Sequence, residues 1–311
     1  MKPNIVVVGS INMDLVIRAA HLPAPGETIA GSGFRTIPGG KGANQAVAAA
    51  RLGAEVHFIG SIGGDDFGTR LSKGLAGDGI DLTHLSILQD ESTGVAVIIL
   101  DAKGQNSIVL SSGANGRVTP EQVQAGAETI AGAQMLVCQL ETPLPAVTRA
   151  VDIAHDRGVP VILNPAPAVP LDRGLLGKVN YLIPNETEAS LLSGVQVVDG
   201  ETARVAAHRL VDGGAEHVLI TLGDKGVVSV LKDGTVLSMP AITVPVVDTT
   251  GAGDTFVGSL AMELASGTPI REAIEYAQYA AALKVTKLGA QTSIPRREEV
   301  RRFIRGRMPS T

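Results

Sequence analysis

The stretch Asp248-Thr249-Thr250-Gly251-Ala252-Gly253-Asp254-Thr255-Phe256 sets an acid beside a run of small residues, just ahead of an apolar segment of helical length. Small residues at a helix N-terminus let backbone N–H groups converge. With the helix dipole they make an anion site. Asp254 falls in the first helical turn. A carboxylate is a poor neighbour for a bound phosphate unless it has a proton to take. It suits a base that activates a hydroxyl attacking that phosphate, with the amides of Gly251, Ala252 and Gly253 facing the transferring group. The plainer alternative is that Asp254 caps the helix and the glycines only make a turn.

Other stretches offer matching chemistry. Gly39-Gly40-Lys41-Gly42-Ala43-Asn44 again places glycines ahead of a helix. Lys41 and Asn44 sit three apart on its first turn, able to reach a polyol or phosphate, or the stretch is an ordinary entry turn. Asn12 and Asp14 follow the first strand-like run, at the carboxyl end where open α/β sheets bind ligands. They offer groups suited to sugar hydroxyls, or they form an Asx turn. Asn185 and Glu188 have capping-box spacing; alternatively they face phosphates and order Mg²⁺ through water. Thr221-Leu222-Gly223-Asp224-Lys225-Gly226 ends a strand where a nucleotide could rest on backbone, and Glu141 stands at another strand's carboxyl end.

Several chemistries are disfavoured. Gly40-Lys41-Gly42 lacks the following Ser/Thr of a phosphate-binding P-loop, and no GxGxxG follows the first strand. The histidines share no metal-ligand spacing. The single cysteine, Cys138, lies in an apolar run and reads as core, with no disulfide possible. A net charge of −5 argues against nucleic acid as partner. The arginine-rich segment 296–307 is interleaved with Glu298 and Glu299 and reads as a solvated helix face. Neither a signal peptide nor a membrane-length apolar stretch is apparent, which predicts a cytoplasmic protein.

The elements that must position these residues follow from the pattern. Hydrophobic residues make up 44% of the chain and aromatics only 3%, so the core is aliphatic, as in sheets buried on both faces. Strands are predicted over 5–8, 56–59, 135–139, 161–164, 181–183 and 218–221, with a hairpin over 227–231 and 236–239. Helices are predicted over 41–52, 66–77, 144–157, 186–192, 202–212, 251–265, 270–285 and 296–305. This alternation implies a mostly parallel sheet covered by helices. More polar, alternating runs over 15–17, 27–37, 93–100 and 107–110, the last two joined by a turn at 102–104, do not fit that sheet. They read as a separate β-sheet lid. The expected division is an α/β domain of 1–10, 38–91 and 113–311 with a lid of 11–37 and 92–112.

Taken in order and spacing, GGKGANQAVA from Gly39, DTTGAGDTF from Asp248, NPAPA from Asn164 and NETE from Asn185 closely resemble the ribokinase-like (phosphofructokinase-B) family of carbohydrate kinases. The resemblance runs nearly the whole chain. It implies a three-layer α/β/α fold with a β-sheet lid, and ATP-dependent phosphorylation of D-ribose at the 5-hydroxyl. The alternatives are a kinase for a related sugar such as 2-deoxyribose, or a non-catalytic sugar or nucleotide sensor. Carried over by motif, the sugar is expected on Asn12, Asp14, Gly39, Gly40, Lys41, Asn44, Glu141 and Asp254. The nucleotide is expected on Asn185, Glu188, Thr221, Gly223, Gly226 and Gly253, with Mg²⁺ on its phosphates. The resemblance further implies a homodimer through the lid, and a K⁺ activator held mainly by carbonyls of Asp248, Thr250, Lys284, Lys287, Gly289 and Ser293, the two lysine side chains pointing away. Where the family commonly has a histidine near adenine, this chain has Gln278, which offers both a donor and an acceptor.

Overall fold

A computed structural model describes residues 2–102 and 105–307. In chain order the elements are β1 (Asn4–Val8), β2 (Asn12–Arg18), β3 (Ser32–Gly39), α1 (Lys41–Leu52), β4 (Glu55–Gly63), α2 (Asp66–Gly77), β5 (Asp81–Leu88), β6 (Gly94–Leu100), β7 (Asn106–Ser111), α3 (Pro120–Ala125), α4 (Ala127–Ala131) and β8 (Met135–Cys138). There follow α5 (Leu144–Asp156), β9 (Val161–Leu163), α6 (Arg173–Leu176), β10 (Tyr181–Leu182), α7 (Glu186–Ser193), α8 (Gly200–Asp212), β11 (His217–Thr221), β12 (Val227–Val230), β13 (Val236–Met239), α9 (Ala252–Ala265), α10 (Ile270–Val285) and α11 (Arg297–Arg305).

Nine strands form one sheet in the order β13-β12-β11-β10-β9-β8-β1-β4-β5. From β11 to β5 the pairing is parallel, and β12 alone runs against it, antiparallel to both β11 and β13. The apolar run of β1 shows why the sheet must be covered on both faces. Ile5 and Val7 enter one buried layer with α1 and α9, and Val6 and Val8 enter the other with α5 and α8, as the two-residue period of a strand demands. A second, four-stranded sheet has the order β3-β2-β6-β7. It grows out of the first without a loop of any length, because β2 begins at Asn12, four residues after β1 ends at Val8.

Three expectations need correction. Residues 27–31 are not strand, and β2 starts at Asn12 rather than at 15. The edge strand β5 was not anticipated; most of its side chains are partly or well exposed, so it lacks the continuous apolar run of the central strands. Of the expected turn at 102–104, Lys103 and Gly104 lie outside the described residues.

The helix carrying Asp254 is seated by close approach. At Gly258 of α9, an added Cβ would strike the Gln45 carbonyl oxygen and sit 2.7 Å from Ala48 Cβ on α1. Gly258→Val is therefore expected to destabilise the fold by about 1–3 kcal/mol through overpacking. Gly74 in α2, whose Cβ would meet nothing within 4 Å, is the contrast: Gly74→Ala is expected to stabilise by about 0.5–1 kcal/mol. Denaturant midpoints of the two variants check both signs.

Candidate active site

The carboxyl ends of β1, β8 and β10 and the N-termini of α1, α7 and α9 converge on one region. Gly40 enters α1 with φ 89° and Gly251 enters α9 with φ 78°, left-handed conformations that L side chains rarely adopt. Both turns bring helix N-termini toward the same space.

Asp254, in the first turn of α9, is buried and oriented by two side-chain amides. Asn44 Nδ2 donates to its Oδ2 at 2.8 Å and Gln45 Nε2 to its Oδ1 at 3.1 Å. Gln45 is itself held by Gln139 Nε2, which donates to its Oε1 at 2.7 Å, and it also donates to Asn164 Oδ1 at 3.1 Å. Sequence reasoning gave Gln45, Gln139 and Asn164 no role. The available signal was a polar residue buried among alanines in α1 and another closing the apolar run of β8.

Asn12 and Asp14 lie at the start of β2, both buried. Asn115, also missed from sequence, fixes Asn12 by donating Nδ2 to its Oδ1 at 2.7 Å, while Ile11 N–H donates to Asn115 Oδ1 at 2.9 Å. Burial, reinforced by the nearby charges of Glu141 and Asp254 and opposed by Lys41, raises the Asp14 carboxyl from 3.8 to about 7. Glu141 accepts from Ser10 Oγ at 2.5 Å and from the Lys41 amide at 3.1 Å. Burial works to lower the Lys41 ammonium, but Asp254, Glu141, Glu188 and Asp14 together outweigh it and hold the group above its usual value. That one cation thus senses acids from four separate segments. Gly39 comes so close to the Asp14 carboxylate that any Cβ would collide with it.

At α7 the capping box forms in full: Asn185 Oδ1 accepts from the Glu188 amide, and Glu188 accepts from Asn185 N and Nδ2, each at 2.9 Å. Glu188 is nonetheless buried and raised by that burial, with Lys41 and Asp254 in electrostatic reach. The capping and site readings are compatible.

A cleft of about 530 Å³ runs from Thr221, Gly223 and Gly226 past Val244 and Val246 to Ala252 and Gly253 at the N-terminus of α9. Its lining is mainly aliphatic, suited to a flat apolar ring, and it ends where Asp254 begins. Gln278 lines its side, but its Nε2 already donates to Pro240 O at 3.0 Å and to Met239 O at 3.4 Å, so both amide hydrogens have backbone acceptors and its carbonyl is left for another partner. The expected three-amide anion site also needs correction. The Ala252 amide closes a turn onto Thr249 O at 3.0 Å, while the amides of Gly251 and Gly253 have no acceptor among the described residues.

Of the positions expected to hold K⁺, Lys284 departs from expectation. Asp248 accepts from the Thr250 amide at 2.9 Å and from the Gly289 amide at 2.8 Å. Lys287 points to the surface, with Nζ 2.7 Å from Glu299. Lys284 does not point away: it is wholly buried and its Nζ donates to the Asp248 carbonyl at 2.9 Å. Ser293 donates its hydroxyl to the carbonyls of Gly289 and Ala290. Burial lowers the Lys284 ammonium from the ordinary lysine value, against the pull of Asp248 and Asp254. Cys138 is fully buried in β8, its thiol pushed up to about 12 by burial, so it is no nucleophile.

A family model described as pfkB family carbohydrate kinase matches residues 2–297. The ribokinase of Haemophilus influenzae is 46% identical over 304 residues, covering 98% of this chain and 99% of that protein. The deoxyribokinase of Salmonella typhi is 37% identical over 302 residues, covering 97% of this chain and 98% of that protein. Among solved structures, the ribokinase of Arabidopsis thaliana complexed with ribose and ATP matches with a TM-score of 0.92 at 35% identity, over 98% of this chain and 99% of that one.

Proposed function

The chain belongs to the pfkB family of carbohydrate kinases, and from that premise we propose that it is an ATP-dependent ribokinase, transferring the γ-phosphoryl group of ATP to the 5-hydroxyl of D-ribose. The observation that carries this reading is the Asp254 carboxylate, held at both oxygens by Asn44 and Gln45 beside the open amides of Gly251 and Gly253. A base fixed in this way can accept the hydroxyl proton as the oxygen attacks phosphorus. The two amides and the α9 dipole stabilise the charge that develops on the transferring group.

In this reading Asn12, Asp14, Lys41, Asn44 and Glu141 hold the sugar, with Gly39 and Gly40 close beneath it. ATP lies along the cleft past Thr221, Gly223, Gly226 and Gln278, with its phosphates toward Gly253. Asn185 and Glu188 fit Mg²⁺ only through water. Both Glu188 oxygens are engaged in the capping box, and no cluster of acidic or histidine ligands able to hold a metal occurs among the described residues. Mg²⁺ bound on the phosphates would neutralise their charge. The K⁺ implied by the resemblance does not fit, because the Lys284 ammonium already occupies the Asp248 carbonyl.

We assign residues 11–37 and 92–112 as a lid that excludes water from transfer, so that ATP is not hydrolysed. Exposed Phe34, Val97, Ile108 and Val109 on its strands favour a homodimer through that sheet. No helix among the described residues is long and apolar enough to cross a membrane, and the reading places the enzyme in the cytoplasm.

The experiment is an ADP-release assay across pentoses, hexoses and nucleosides. Ribose is expected to lead. With Asn12 and Asp14 set to bind adjacent hydroxyls, 2-deoxyribose forfeits one hydrogen bond to a charged or buried group, lowering kcat/KM by about 10–100-fold. Equal or better use of 2-deoxyribose would reassign the substrate. Saturable sugar binding without ADP release would indicate a sensor.

A further inference from the structure

Lysines are almost never fully buried without a charged partner. Lys284, near the end of α10, is fully buried, and among the described residues no carboxylate comes within ion-pair distance of it. Its contact is with a peptide dipole, the carbonyl of Asp248. That residue opens the turn 248–254, the segment that carries the amides of Gly251 and Gly253 and the carboxylate of Asp254. The same corner is drawn together by three further bonds. The amides of Val247 and Asp248 both donate to Val285 O, at 2.8 and 3.2 Å, and Gly289 N donates to Asp248 Oδ2 at 2.8 Å.

A free monovalent cation bound here would need several carbonyl oxygens in place of its water shell. The Asp248 carbonyl faces an ammonium, and the Gly289 carbonyl accepts the Ser293 hydroxyl. A cation placed on these oxygens would share the Asp248 carbonyl with the Lys284 ammonium, and the two like charges would repel strongly in a buried setting. An ammonium is itself a compact unit positive charge with hydrogen-bond donors to give. Tethered at 284, it can brace the turn in the same way and cannot dissociate.

We infer that the Lys284 ammonium is a built-in monovalent cation: it positions the 248–254 turn, and it makes turnover independent of added K⁺. Lys284 is a positioning residue, since it touches neither of the reacting groups. The turn's part in phosphoryl transfer rests on the function proposed above, so the test includes a readout that does not depend on turnover.

Wild type, Lys284→Ala and Lys284→Met are compared in choline chloride and KCl of equal ionic strength, by melting temperature and by ADP release with ribose. The wild type is expected to show the same melting temperature and the same rate in both salts. Lys284→Ala, which opens space for an ion, is expected to lose about 10–100-fold in rate in choline, and K⁺ should restore most of that rate and raise its melting temperature. Lys284→Met, which fills the space without charge, should stay slow in both salts. A wild-type melting temperature or rate that rises specifically with K⁺ overturns the inference, as does a Lys284→Ala enzyme fully active in choline. If the alanine variant does not fold, the wild-type comparison decides alone. If no sugar gives ADP release, the kinase reading fails, and the melting data still decide the cation question.

Discussion

Asp254→Asn is expected to lower kcat by about 10²–10⁴, the range for loss of a general base, with ribose affinity largely retained. The variant should fold, for a reason visible in the hydrogen bonds. Asn44 and Gln45 both donate to Asp254, so an amide there would present a donor to one of them. Asn44 Oδ1, however, is buried without a partner. By turning over its own amide, Asn44 can accept from the new NH₂ group, and the backbone need not move. Sugar binding measured by calorimetry, beside steady-state kcat, separates the loss of the base from collapse of the site. Turnover near the wild-type rate would remove Asp254 from its role.

Asp14→Asn should show opposite effects on binding and on stability. Asp14 is proposed to accept hydrogen bonds from two sugar hydroxyls. Two bonds to a charged acceptor at roughly 1.5–3 kcal/mol each predict a loss of about 10²–10⁴ in ribose affinity. The empty site, by contrast, is burdened by that carboxylate, whose pKa rises from 3.8 to about 7. Protonation of Asp14 therefore favours the folded state. That stability is fully present below about pH 4 and is lost as pH rises through 7. At about 1.4 kcal/mol per pH unit, the loss approaches roughly 4 kcal/mol at pH 8. The asparagine variant has no charge to bury. Without sugar, it should match or modestly exceed the wild type at pH 5 and exceed it by on the order of 2–4 kcal/mol at pH 8. Denaturant titrations at the two pH values give the answer. A variant less stable than the wild type at pH 8 would contradict the raised carboxyl, and unchanged ribose affinity would contradict the proposed sugar contact.

How far such a site can be read from sequence depends on how local its determinants are. The bounds of α1, α2 and α10 were legible to the residue, because glycines, prolines or acidic caps punctuate clear helical periods there. The two glycine-rich turns were legible too, since small residues ahead of an apolar helix leave little else for the chain to do. What escaped is what the fold brings together. The bond from Asn115 to Asn12 spans 103 positions and that from Gln45 to Asp254 spans 209. A polar residue among alanines marks Gln45 locally, but nothing near either donor names its partner. The strand β5 was missed because an edge strand needs no continuous apolar run. Lys284 was misjudged for a related reason. The rule that lysines reach for water holds for most sites, and only packing reveals one turned inward onto a peptide carbonyl.

In the proposed reaction Asp254 meets the sugar alcohol where the phosphoryl group arrives. A crystal structure with ribose and a non-hydrolysable ATP analogue decides whether it does. The 5-hydroxyl oxygen is expected within roughly 2.6–3.2 Å of an Asp254 carboxylate oxygen, with the γ-phosphate beside the amides of Gly251 and Gly253. A sugar bound with that hydroxyl out of reach of Asp254, or a γ-phosphate lying away from the α9 N-terminus, would contradict it.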